Sequence, residues 1–211
     1  MINIILIMKP YVLGIDIGGT NTVIGIVDAR GSVIASDSIK TAKHSKLEDY
    51  IDELYTTASR LIENNDATDK IHGIGIGAPN ANYYTGIIEQ GVNLPWPTPI
   101  PLARLISEKF GIPVAITNDA NAAAIGEMTY GAARGLKDFI MITLGTGVGS
   151  GIVINGQMVY GHDGFAGELG HVIVKRNNGR LCACGRSGCL ETYCSATGVA
   201  RTAREYLELT D

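Results

Sequence analysis

Two short apolar runs, far apart in the chain, each end in a glycine-rich turn and are each followed by a second apolar run. The first is Tyr11 to Ile17, ending in Asp16-Ile17-Gly18-Gly19-Thr20-Asn21-Thr22, with Val23 to Val27 after it. The second is Asp138 to Leu144, ending in Gly145-Thr146-Gly147-Val148-Gly149-Ser150-Gly151, with Ile152 to Ile154 after it. Branched residues bounded by glycine predict strand, turn and strand both times. A unit that occurs twice predicts a duplicated α/β architecture with a cleft between two lobes. We place the boundary at Thr117, giving lobes 1–117 and 118–211.

The intervening segments fit that plan. Ser32 to Ile39 continues the first hairpin as a third strand. Ser45 to Asn65 predicts a helix, with Leu47, Tyr50, Ile51, Leu54, Ala58, Leu61 and Ile62 at three- and four-residue spacing. Ser45 and Glu48 predict a capping box at its start. Ile71 to Gly77 predicts a buried strand, and residues 80–101 a long loop with four prolines. Leu102 to Phe110 predicts a helix stopped by Gly111, and Pro113 to Thr117 a strand. Asn118-Asp119 opens a helix through the alanines to about Ala133. A last helix is predicted from Ser195 to Leu209.

Composition narrows the function. The 211 residues carry 27 glycines against 7 prolines, without the three-residue period of collagen. A net charge of -4 and the lack of a basic run argue against a nucleic-acid surface. Ile2 to Met8 is apolar but too short to span a membrane, and it has neither the basic start nor the cleavage site of a signal peptide. Met8-Lys9-Pro10 resembles a second start site. A cytoplasmic protein without membrane contact is expected.

The four cysteines, Cys182, Cys184, Cys189 and Cys194, fall within thirteen residues. A disulfide framework would spread them, so the cluster favours metal. Cys182, Cys184 and Cys189 with His171 make a closed Cys3His set for structural zinc, with no position left for water. Cys194 falls outside it and is expected to be a core thiol.

Each glycine turn taken alone fits a plain hairpin. Two of them, each following a strand, favour a grip on one polyphosphate from two sides, as in an ATP cleft. Their amides would face phosphate, and Asp16 would hold Mg2+ through water. Asn118-Asp119 fits a helix cap. It equally fits a general base at the carboxyl edge of a sheet, where α/β proteins bind ligands. Glu168 and Glu191 flank the cysteine cluster. They are either solvated surface charges or acceptors for sugar hydroxyls.

Five motifs then occur in a specific order: Asp16-Ile17-Gly18-Gly19-Thr20, Asn118-Asp119-Ala120-Asn121-Ala122-Ala123, Leu144-Gly145-Thr146-Gly147-Val148-Gly149, Glu168-Leu169-Gly170-His171, and Cys182-x-Cys184-Gly185-x-x-Gly188-Cys189-Leu190-Glu191. From about Met8 to Asp211 the sequence resembles the ROK family of sugar kinases and repressors. The resemblance implies an actin-like, two-lobed kinase fold with an incomplete second lobe. It implies ATP–Mg2+ as phosphoryl donor and the 6-hydroxyl of a hexose, glucose first, as acceptor, with an N-acetylhexosamine or fructose as the alternative. Asp119 matches the catalytic base. Asn118, Asp119, Glu168, His171, Glu191, Gly77 and Asn93 match sugar-binding positions. Asp16, Gly18, Gly19, Thr20 and Asn21 match one phosphate turn, and Gly145, Thr146 and Gly147 the other. His171, Cys182, Cys184 and Cys189 match zinc ligands, His171 holding zinc with one ring nitrogen and sugar with the other.

The resemblance also implies a homodimer, and a longer chain whose further part would cradle adenosine. A non-catalytic sugar-binding protein is therefore a further reading. In the repressors a helix-turn-helix domain precedes the first motif, and with fifteen residues before Asp16 a chain without that domain is expected. Asn80 stands where the family commonly has glycine. It calls for an Asn in left-handed conformation, or marks a subfamily.

Overall fold

The computed structural model describes residues 9–91 and 94–208. The expected strands form, as β1 (Tyr11–Ile17), β2 (Thr22–Asp28), β3 (Val33–Ile39), β4 (Ile71–Gly77) and β5 (Val114–Thr117). They make one sheet in the order β3-β2-β1-β4-β5. The hairpins pair antiparallel, while β4 runs parallel to β1 and β5 parallel to β4. The carboxyl ends of three parallel strands therefore lie side by side, with Asp16 opposite Gly77 and Gly77 opposite Thr117.

Alternation in β1 sends Leu13, Ile15 and Ile17 into the core. Helix α1 (Leu47–Asn64) covers them with Tyr50, Ile51, Leu54, Ala58 and Leu61, one face at helical spacing. Helix α2 (Leu102–Phe110) adds Leu102 and Ile106 and ends at Gly111 in the left-handed conformation, as expected.

A second, three-stranded sheet follows: β6 (Phe139–Leu144), β7 (Val148–Ile154) and β8 (Gln157–Met158), in that order and antiparallel. Helix α3 (Asp119–Tyr130) packs against both sheets, on β4 from one side and on β6 and β7 from the other. Its small residues permit this double approach. A single turn, α4 (Glu191–Cys194), and a longer helix, α5 (Ala196–Glu208), close the described chain. No described helix is long and apolar enough to cross a membrane.

Several expectations change. The Ser45–Glu48 capping box does not form, because α1 begins one residue later than that box requires, with Lys46 at the N-cap and no side-chain cap bond. Helix α3 stops at Tyr130 rather than Ala133, where Glu127 turns back to accept from the amide of Ala132 at 2.7 Å. The second glycine turn is short. Residues Val148 to Gly151 already belong to β7, and a side chain at Gly149 or Gly151 would strike Ala120 or Ala124 of α3. Those glycines therefore make room for a helix. Cys194 is half-buried on α4, not a core thiol. Residues 1–8, Asn93 and Leu209 lie outside the described residues.

Candidate functional site

The site is built on the carboxyl edge of β1, β4 and β5. Asp16 is the penultimate residue of β1, and the turn after it closes through Gly18 N donating to Asn21 O at 2.9 Å. Gly77 ends β4. A Cβ there would come within 3.2 Å of Ala122 Cβ and 3.6 Å of Asp119 Cα. Glycine thus lets the first turn of α3 settle onto the strand end, bringing Asp119 beside Asp16. Asn118 caps α3, its Oδ1 accepting from Ala120 N at 2.8 Å. The cap reading therefore holds, and the capping residue directly precedes Asp119. Asp119 Oδ1 also accepts from Ala120 N, and the residue is exposed.

Electrostatics mark this edge as strained for anions. Partial burial, then the Asp119 charge, push the Asp16 carboxyl above its ordinary range. Burial does the same to Glu168, with Asp119 and Glu191 adding to it and His171 opposing. Asp16, Asp119, Glu168, His171 and Glu191 thus share one field. Crowded carboxylates whose charged forms repel are a donor set suited to a hydrated divalent cation.

Glu168 and His171 sit around a tight turn held on β7, where Ser150 donates to Gly167 O and accepts from Leu169 N. His171 Nε2 lies 3.9 Å from Glu168 Oε2, and its Nδ1 lies 3.7 Å from Cys182 Sγ. The ring therefore turns one nitrogen to the carboxylate and the other to the thiols.

The ligand atoms of His171, Cys182, Cys184 and Cys189 all lie within 4.8 Å of one another, with Cys184 and Cys189 sulfurs 3.6 Å apart. Tetrahedral zinc with bonds of about 2.3 Å needs sulfurs about 3.8 Å apart, so the cluster fits such an ion. Without an ion the thiols compete. Backbone donation from Arg186 brings Cys184 down to about 6, while burial sends Cys182 up to about 12. Glu191 bridges outward from this loop. Its Oε1 accepts from Cys182 Sγ at 3.3 Å and its Oε2 from Val148 N at 3.1 Å, just past the second glycine turn. That turn closes through Gly145 N to Gly147 O. It is tied to α5 by Ala196 N to Gly145 O and Thr197 Oγ1 to Thr146 O.

The sequence profile of the ROK family matches residues 12–211. The chain belongs to the ROK family. A glucokinase of Halalkalibacterium halodurans is 40% identical over 203 residues, covering 92% of this chain and 59% of its own. A ROK family glucokinase from Streptomyces griseus, solved in complex with glucose and AMPPNP, is 35% identical with a TM-score of 0.79, covering 95% of this chain and 62% of that one. A xylose repressor of Caldicellulosiruptor bescii is 33% identical over 186 residues, covering 87% of this chain and 46% of its own. The ROK chain therefore has the mixed α/β, actin-like fold of these kinases. It spans about 60% of the length of the glucokinases it matches.

Asn80, where the family commonly carries glycine, takes the left-handed conformation with φ of 52°. Sequence reasoning missed Ser150, which anchors the Glu168 turn. It also missed buried Asn82, whose side chain donates to Asp163 O at 2.8 Å and so joins the 80–101 loop to the segment after β8. Neither contact has a local pattern that announces it.

Proposed function

We propose that this ROK chain forms the sugar and phosphate edge of an ATP-dependent hexose kinase of the glucokinase type, phosphorylating the 6-hydroxyl. The observation that carries the proposal is Asp119, an exposed carboxylate at the head of α3, set beside Asp16 across Gly77. Resemblance to glucokinases, one of them solved with glucose and an ATP analogue, supports the same reading.

On this reading the lobes are residues 1–117 and 118–211. Asn118, Glu168, His171, Glu191, Gly77 and Asn93 would surround the hexose. Asp119 accepts the proton of the attacking hydroxyl as its oxygen bonds to the γ-phosphorus and ADP departs. The turns Gly18 to Asn21 and Gly145 to Gly147 would cradle the phosphates with amides other than those of Gly18 and Gly145, which close the turns, and the Asp16 carboxylate would face them. Mg2+ would supply charge neutralisation on the transferring group. Zinc would be held by His171, Cys182, Cys184 and Cys189. Fixing Nδ1 of His171 in this way leaves Nε2 to meet a sugar hydroxyl.

The test is incubation with ATP–Mg2+ and, in turn, glucose, mannose, fructose and N-acetylglucosamine, with the product's phosphorylated carbon assigned by NMR. A hexose 6-phosphate is expected, glucose giving the highest rate. The match to a xylose repressor favours a second reading, a sugar-binding module without turnover. Calorimetric binding of a sugar with no phosphorylated product would support that reading and defeat the first.

A further inference from the structure

Asn82 lies in the loop after β4 and is 3% exposed, yet both polar atoms of its side chain are paired. Its Oδ1 accepts from Tyr84 N at 2.9 Å and from Thr85 N at 3.4 Å, which shapes its own loop. Its Nδ2 donates to Glu89 Oε1 at 2.8 Å and to Asp163 O at 2.8 Å. The bond to Asp163 crosses to the segment after β8, and two more contacts join the same two segments. Tyr83 stacks on Tyr160 with ring centroids 4.2 Å apart and planes 1° apart, and Tyr84 donates its hydroxyl to Gly161 O at 3.0 Å. Gly164 completes the fit. Its φ is 86°, and a Cβ there would come within 2.6 Å of Asn82 Oδ1. Truncating Asn82 would leave its partners unpaired on both segments.

The chain beyond this clasp leads straight to Glu168. Ala166 N donates to Tyr160 O at 2.9 Å and closes residues 160–166 into a loop, and Gly167 O accepts from Ser150 of β7. The Glu168 carboxylate itself makes no hydrogen bond among the described residues, and it stands 3.9 Å from His171 Nε2. Its place is therefore set by the backbone that the clasp holds.

We propose that Asn82 is a positioning residue for the sugar side of the site, setting where the Glu168 carboxylate stands by clasping residues 160–164. The proposal rests on the reading of Glu168 as a sugar ligand. The clasp ties the chain leaving β4, whose last residue Gly77 lies against Asp119, to the turn bearing Glu168. One buried amide thus fixes the span between two parts of the site. A carboxylate held in place before the sugar arrives needs no ordering when it binds.

The first test needs no ligand. Asn82→Ala removes the clasp's central bond, and Tyr84→Phe removes one bond at an exposed ring while leaving the Asn82 network whole. Amide exchange at Ala166, Leu169 and His171 should accelerate about tenfold or more in Asn82→Ala and about threefold in Tyr84→Phe, while β1 to β5 keep their protection. Unchanged exchange at these amides overturns the proposal. So does equal acceleration in β1 to β5, which marks general loss of stability. Where Asn82→Ala does not fold, Tyr84→Phe decides both tests. The second test titrates glucose calorimetrically in a double-mutant cycle with Glu168→Ala. Asn82→Ala should weaken glucose binding about tenfold in the parent and less than about twofold in Glu168→Ala, because a residue acting through Glu168 then has nothing left to place. Tyr84→Phe should follow the same pattern from a loss of about threefold. Equal losses in both backgrounds overturn the proposal, since an independent structural role would add. No loss in the parent overturns it as well. A parent that binds no glucose speaks against the kinase reading instead, and the exchange comparison then decides for the clasp alone.

Discussion

Leu13, Ile15 and Ile17 on β1 and Ile140, Ile142 and Leu144 on β6 occupy matching places in two strand–turn–strand units. Their fates differ. Ile15 is 3% exposed and Ile142 is 55% exposed. β1 lies between β2 and β4 under α1, whereas β6 is the edge of its sheet among the described residues. Local sequence sets strand and turn in both units, but burial depends on which elements the rest of the chain supplies. The first sheet is thus a packed scaffold. The second region is held by α3, by side-chain ties such as Ser150 to Gly167, and by the cysteine loop.

The sharpest break of that comparison is metal removal. Structural zinc contributes on the order of 10–16 kcal/mol to small metal-organised units. Stripping zinc with a strong chelator should abolish exchange protection from His171 to Cys189 and lower glucose affinity, while β1 to β5 stay protected. A zinc-free protein with the loop still protected would show that the loop needs no ion.

Paired truncations come next. Ile15→Ala should cost about 2–5 kcal/mol in chemical denaturation, because the surrounding core cannot close on the cavity. Ile142→Ala, the matching position, should stay within about 0.5 kcal/mol. Equal costs would mean that β6 is as well covered as β1.

Asn80 gives a smaller effect. Its left-handed backbone tolerates Asn and Gly, so Asn80→Ala should cost about 1 kcal/mol in the same denaturation experiment and Asn80→Gly much less. Equal stability of the two variants would contradict the strain.

The smallest effect is one of pH. The Asp16 carboxyl is raised in the folded chain, so folding favours its protonated form. Its contribution to stability is therefore greatest below its ordinary value of 3.8 and is lost as pH rises through the folded value. Asp16→Asn should raise the melting temperature at neutral pH, with the gain vanishing in acid. A variant less stable than the parent at pH 7 would reverse the assigned sign. Asp37, lowered by the Ser38 amide and then Arg60, follows the opposite rule and loses its contribution as pH falls.

What the sequence disclosed was local. Both strand–turn–strand units, the Gly111 stop, the Asn118 cap and the Cys3His grouping each rest on neighbours within a few residues. What it concealed was set by distant partners. The small residues at Gly149 and Gly151 look like more phosphate turn until α3 is seen lying on them. Ser45 and Glu48 carry the capping pattern, yet α1 starts where its apolar face meets the sheet. Asn82, Tyr83 and Tyr160 have no shared pattern at all, since two distant segments bring them together. Cys194 follows the cysteine cluster in sequence but sits on α4, outside the Cys3His group.

The most direct measurement is turnover of Asp119→Asn with ATP–Mg2+ and glucose, taken beside its glucose affinity by calorimetry. The substitution preserves shape and the cap of α3 while removing the proton acceptor. The account predicts turnover lower on the order of 10²–10⁴-fold with sugar binding largely kept. Turnover within about tenfold of the parent would contradict it, because that falls short of what a general base contributes.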